Sequence, residues 1–158
     1  MTKGKIWKFG NNVDTDQIIS SQYIMLPDVE EMKKYTFESL NPDFAKNFKP
    51  GDIIVGGYNF GSGSSREQAP LVLRELGTAT VIARSYARIF FRNSINIGLP
   101  LIICEELFDD VAEGSELGFS FEKGEIIYNG KTFKFNKFPE HILRIIEHGG
   151  LINYINSI

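Results

Sequence analysis

The feature that most constrains the fold is a change of period part-way along the chain. Up to Cys104, short apolar runs at Lys5–Phe9, Asp52–Gly56, Ala79–Ala83 and Pro100–Cys104 alternate with Arg66–Leu76 and Tyr86–Asn93, whose apolar residues recur at helical spacing. Gly77 and Gly98 stand where glycine ends a helix. Strand, helix, strand in that order predicts parallel strands joined by crossover helices. Beyond Cys104 the pattern shortens to Leu117–Phe121, Glu125–Tyr128 and Lys131–Phe135, separated by Lys123-Gly124 and Asn129-Gly130. Asn-Gly is a strong hairpin signal, so an antiparallel meander is expected. After Pro139, His141–Ile146 predicts an amphipathic helix stopping near Gly149-Gly150. Asp28–Leu40, between Pro27 and Asn41-Pro42, reads as a helical flap between the first two strands. The class is α/β.

With 158 residues, a single domain over 1–158 is expected. Hydrophobic residues at 42% and charged residues at 23% suit an ordinary globular core. A formal charge of -3 argues against a nucleic-acid partner, because phosphate binding needs clustered Lys and Arg. Met1–Trp7 has no apolar run behind it that would make a signal peptide, and no stretch reaches the roughly 18 apolar residues of a membrane span. The expected address is cytoplasmic. The one cysteine, Cys104, ends an apolar run and reads as a buried strand residue; a single thiol cannot hold an iron–sulfur cluster. His141 and His148 lie seven apart on the last predicted helix, with no third ligand nearby, and read as surface residues rather than a metal site.

The chemistry is concentrated in Tyr58–Pro70, placed after an apolar strand and before a helix. Gly61 and Gly63 permit positive φ and leave no side chain between backbone and ligand. Unpaired amides at the start of the next helix favour an anion. The competing structural reading is a capping box, Ser64 with Glu67 or Ser65 with Gln68, in which the hydroxyl only ends a helix. Pro70 must fall in the first turn, so regular helix is expected to begin close to Ser65.

Known phosphate and nucleophile motifs fit poorly. A Walker loop needs Lys then Ser or Thr after the last glycine, where Arg66 and Glu67 stand. A dinucleotide fingerprint needs glycine at 66, although Arg84 could imitate a reader of a 2′-phosphate. A hydrolase elbow needs glycine two residues to each side of the serine, which neither Ser62 nor Ser64 has. What remains is two adjacent serines and a guanidinium on a glycine turn. Neighbouring positive charge lowers the cost of an alkoxide, so Ser64 is a candidate base for a proton α to a carboxylate held by Arg66 and nearby amides.

Gly61-Ser62-Gly63-Ser64-Ser65-Arg66-Glu67 resembles the hallmark of the mobile C-terminal domain of the aconitase superfamily. Val13–Ile19 resembles the Asp-Thr-Asp-Gln-Ile run of isopropylmalate dehydratase small subunits. Ala83–Phe90 is similar to their Ser-Phe/Tyr-Ala-Arg-Ile-Phe run, and Asn96-x-Gly98-Leu99 fits as well. The likeness runs from about Lys5 to the C-terminal helix. Ser62 replaces the cysteine usual between the glycines, and Gln68 replaces the histidine usual after Arg-Glu.

The resemblance implies a swivelling β/β/α domain that closes over a large partner subunit carrying a 4Fe-4S cluster; this chain is expected to bind no cofactor or metal itself. It implies Ser64 as the catalytic serine, Ser65, Arg66 and Gly63 as substrate-binding residues, and Asp16 as support for the site at the subunit boundary. The partner's open iron is the expected Lewis acid for the departing hydroxyl. Tyr23-Ile24-Met25-Leu26 occupies the family's specificity loop, where members that handle tricarboxylates carry Arg. Met25 offers no cation, so an alkyl-bearing hydroxy-dicarboxylic acid is expected. 3-Isopropylmalate, interconverted with 2-isopropylmalate in leucine biosynthesis, stands beside 2,3-dimethylmalate and citramalate-type acids, with homoaconitate chemistry less favoured. The alternative reading of the loop is plain packing. The rival for the whole chain is a stand-alone anion-binding module with no partner and no chemistry, which leaves Asp14-Thr15-Asp16-Gln17 unexplained.

Overall fold

The computed structural model describes residues 1–158. In chain order the elements are β1 (Thr2–Lys8), α1 (Thr15–Ile18), α2 (Val29–Met32), α3 (Phe44–Asn47), β2 (Ile53–Gly56), α4 (Gln68–Glu75), β3 (Thr80–Ala83), α5 (Arg88–Asn96), β4 (Leu101–Ile103), β5 (Glu116–Ser120), β6 (Glu125–Tyr128), β7 (Lys131–Lys134), α6 (Glu140–Glu147) and α7 (Leu151–Ser157). The strands form one sheet in the order β4-β3-β2-β1-β5-β6-β7. From β1 to β4 neighbours run parallel; from β1 through β5 and β6 to β7 they run antiparallel. The change of period in the sequence is this change of pairing.

β1 joins the two halves by dividing its length between them. Thr2–Lys5 pair with β5, and Ile6–Lys8 pair with β2. That division explains why the strand starts at Thr2 rather than Lys5, since its first residues are ordered by the meander.

Alternation along the parallel strands builds two cores. Trp7, Ile54, Val81 and Leu101 face the helices, packing with Val72 and Leu73 of α4 and Phe90 of α5. Ile6, Ile53, Val55, Ile82 and Ile102 face the other way, into Leu117, Phe119, Ile126 and Phe133 of the meander. The sheet therefore curls so that its antiparallel half covers one face of its parallel half, giving β, β and α layers. Strands buried on both faces read as continuous apolar runs, which is how they appear in the sequence.

Three expectations about boundaries are corrected. The flap Asp28–Leu40 is not one helix: Asp28 caps α2, a 3-10 turn follows over Lys33–Tyr35, and Phe37 turns the chain with φ +56. Phe37 is fully buried and stacks on Phe9 at 4.2 Å, so tertiary packing outweighs local helix propensity. α4 begins at Gln68 rather than near Ser65, with Pro70 third in the helix and still in its first turn. Finally, Gly149-Gly150 ends α6 as expected, but a further helix, α7, follows it.

Candidate active site

The site lies beyond the carboxyl ends of the parallel strands, the usual place for a ligand in an open α/β sheet. Three short segments extend the ladder there. Gly61 N–H donates to the Val13 carbonyl at 2.7 Å and Thr15 N–H to Ser62 at 2.9 Å, while Phe60 N–H reaches Ser85 at 3.0 Å and Ala87 N–H returns to Phe60 at 2.9 Å. The loops after β1, β2 and β3 are thus tied side by side, and the glycine turn sits on the middle one.

The run Asp14–Ile19 resolves into separate tasks. Asp14 caps α1: its carboxylate accepts from Gln17 N–H at 2.8 Å, and the Gln17 side chain accepts from Asp14 N–H at 3.0 Å. Thr15, only 2% exposed, donates its hydroxyl to the Ser64 carbonyl at 2.8 Å. Asp16 accepts from Arg66 Nη1 at 3.0 Å. Ile18 and Ile19 are fully buried, and the Ile19 carbonyl accepts from the same Nη1 at 2.9 Å. A capping box, the competing reading of Ser64 and Ser65, forms here instead. α4 has Glu67 at its N-cap and no side-chain cap, so the two serines are not spent on that helix.

Ser64 and Ser65 are exposed, and neither hydroxyl is engaged within the chain. They line a cleft of about 210 Å³ with Gly61, Gly63, Arg66, Thr15, Ala87, Arg88, Ile89, Phe90 and Asn93. The cleft therefore brings together Gly63, Ser64, Ser65 and Arg66, and Asp16 holds Arg66 from behind. The guanidinium lowers the Asp16 carboxyl below the usual carboxylate range, chiefly through that hydrogen bond and then through the Ser21 N–H. Because only Nη1 is engaged, Nε and Nη2 of Arg66 remain free for a planar anion.

Met25 is not brought to this cleft. It stands 90% exposed on the loop after the 3-10 turn Ser21–Tyr23, while Tyr23 stacks on Tyr35 at 4.0 Å. Arg84 is no phosphate reader: it pairs with Asp109 at 2.6 Å, donates to the Glu105 carbonyl at 3.0 Å and lies between the Tyr58 and Phe108 rings. Cys104 is 3% exposed, and burial pushes its thiol pKa up, away from nucleophilic use. His148 Nδ1 donates to the Arg144 carbonyl at 2.6 Å, a helix-end role. No three His, Cys, Asp or Glu side chains gather where they could hold a metal ion, and no helix is long and apolar enough to cross a membrane.

Comparison with known proteins decides the family. Residues 7–106 match the aconitase C-terminal domain. The chain is 52% identical over 157 residues to the isopropylmalate/citramalate isomerase small subunit of Methanocaldococcus jannaschii, spanning 98% of this chain and 94% of that protein. It is 49% identical to 3-isopropylmalate dehydratase small subunit 1 of Archaeoglobus fulgidus, spanning 98% and 97%. A crystal structure of 3-isopropylmalate dehydratase from Methanocaldococcus jannaschii superposes with a TM-score of 0.92 at 40% identity, covering 99% of this chain and 93% of that one. The chain belongs to the 3-isopropylmalate dehydratase small-subunit family.

The resemblance read from Val13–Ile19, Gly61–Glu67 and Ala83–Phe90 therefore holds, as does the β/β/α fold it implied. As a dehydratase small-subunit fold, the chain also shows site residues that motif reading passed over. Thr15, Arg88 and Asn93 all line the cleft, though two of them lie inside or beside the quoted runs. Their signal was position within a motif, but a buried threonine and a helical arginine carry no chemistry until a partner atom is placed beside them.

Proposed function

We propose that this chain is the small subunit of a 3-isopropylmalate dehydratase, a hydro-lyase that interconverts 2-isopropylmalate and 3-isopropylmalate in leucine biosynthesis by loss and return of water. The observation that carries this is the free Ser64 hydroxyl, exposed beside Ser65 and beside an Arg66 oriented by Asp16. In this reading residues 1–158 act as one swivelling domain in the cytoplasm, closing over a large partner subunit.

Ser64 Oγ takes the proton from the carbon next to a carboxylate, and the cationic surroundings lower the cost of its alkoxide. Ser65 and the free edge of Arg66 hold that carboxylate, while Gly63 lets it approach the backbone. Charge left by the proton passes into the new double bond as the hydroxyl departs on the neighbouring carbon. This chain supplies no group for that hydroxyl. One buried thiol and two separated surface histidines do not fit an iron–sulfur cluster; in this reading the partner carries the 4Fe-4S group. Met25, exposed in the lone chain, reaches substrate only once the partner closes the site.

The test is alkene formation from 3-isopropylmalate by this chain mixed anaerobically with its cluster-bearing large subunit, followed by absorbance. Activity is expected only with both chains present. Ser64→Ala is expected to cut turnover by about three or more orders of magnitude while assembly stays intact; ordinary turnover in that variant removes Ser64 as the base. A second reading, citramalate as substrate, is favoured by the likeness to the isopropylmalate/citramalate isomerase small subunit of Methanocaldococcus jannaschii, and 2,3-dimethylmalate stands beside it as the third alkyl-malate. Relative kcat/KM on the three acids separates them.

A further inference from the structure

The cleft holds a second cation that the family's motifs leave without a task. Arg88 opens α5 and lines the cleft with Ser64, Ser65 and Arg66. Arg66, Arg74, Arg84 and Arg144 each pair with a carboxylate of this chain. Arg88 has no such partner, makes no side-chain hydrogen bond and is exposed. Asn93, farther along the same helix, adds a side-chain amide to the wall. A guanidinium with all its donors free, in the wall of a small cleft beside two free serine hydroxyls, is suited to a planar carboxylate.

Arg66 cannot serve both ends of a dicarboxylic acid, because Asp16 and the Ile19 carbonyl already occupy Nη1. Two carboxylates on one small substrate repel each other, and a closed site that excludes water needs positive charge near both. We propose that Arg88 binds the substrate carboxylate that Ser65 and Arg66 do not hold, and so selects dicarboxylic over monocarboxylic hydroxy acids. This deepens the dehydratase reading and rests on it.

The test uses the reconstituted two-subunit enzyme carrying Arg88→Gln, Arg88→Lys or Ser64→Ala, with isopropylsuccinate, which has neither a hydroxyl to lose nor a double bond to hydrate, as an unreactive dicarboxylate inhibitor and 2-hydroxyisovalerate as a monocarboxylate. For Arg88→Gln the KM for 3-isopropylmalate and the Ki for isopropylsuccinate are expected to rise together by about ten- to a hundredfold, the scale of one charge-assisted hydrogen-bonded contact, with kcat within about threefold. Inhibition by the monocarboxylate should stay as it was, and Arg88→Lys should recover part of the loss. A merely structural role would lower kcat and leave the ratio of the two Ki values unchanged, and that result overturns the proposal. So does a KM loss that disappears when the large subunit is supplied in excess, which assigns Arg88 to the subunit contact. Full turnover in Ser64→Ala, by contrast, sinks the reading of the base while the Ki ratio still decides Arg88.

Discussion

Thr15 and Asp16 are adjacent, yet one is buried and the other exposed, and each reaches a different residue of the glycine turn. Thr15→Val keeps the shape but removes the donor to the Ser64 carbonyl, costing about 1 kcal/mol of stability. Its larger effect is on position, since a shift near 1 Å at a reacting group can cost about a hundredfold in rate. We expect kcat to fall at least tenfold, with Thr15→Ser restoring it; equal kcat in all three proteins removes the tether from the mechanism. Asp16 has a depressed pKa, so its ion pair with Arg66 contributes fully above the unfolded carboxyl value of about 3.9 and is lost only as pH falls through the lower folded value. Its side chain is largely exposed, so the contribution to global stability is small and salt-screened. A carbon-detected titration of the Asp16 carboxyl should show a midpoint below that of free aspartate, and Arg66→Gln should return it upward. A normal midpoint in the unaltered chain contradicts the pair.

At the scale of elements, the glycine turn depends on two different constraints. A Cβ on Gly61 would lie 2.2 Å from Cγ of Phe90, at the start of α5. Gly63 has comparable φ, +88 against +83, but its nearest foreign neighbour would be an ordinary 3.4 Å contact with Asp14. Gly63→Ala should therefore cost only the left-handed backbone term, about 1–2 kcal/mol, whereas Gly61→Ala must also displace α5 and should cost clearly more in urea denaturation. Similar losses would mean that the loop moves freely on α5. The sequence marked both glycines as a turn but could not rank them, because Phe90 is far along the chain. It likewise placed the first amides of the turn's helix near Ser65, whereas Thr15 and Val13 hold the turn extended and delay α4 to Gln68.

For the whole molecule, the curl of the sheet keeps the meander core away from the cleft. Ile126 is fully buried among the residues of that second core, none of which lines the site. Ile126→Ala should lower stability by about 2–5 kcal/mol, read as a fall in Tm, while kcat at a temperature where the chain stays folded is unchanged. A matching loss of kcat would show that the two cores are coupled through β1.

Sequence by itself determined the parallel and antiparallel halves, because strand burial on two faces and Asn-Gly turns are local signals. It also determined the family and the Ser64-Ser65-Arg66 group, because those residues are contiguous. Tertiary structure alone decided what those residues touch. Asp14–Ile19 and Ala87–Asn93 reach the turn from about fifty residues before it and about twenty after it, across strands whose order no local pattern encodes. The capping role passed to Asp14, Phe37 broke the flap for the sake of burial, and Met25 was left in solvent. The Asp14 cap is local, an Asp-x-x-Gln pair three residues apart that the order of residues does contain; the Phe37 break follows from packing free energy between distant segments, which outweighs propensity within one segment and has no trace in that order.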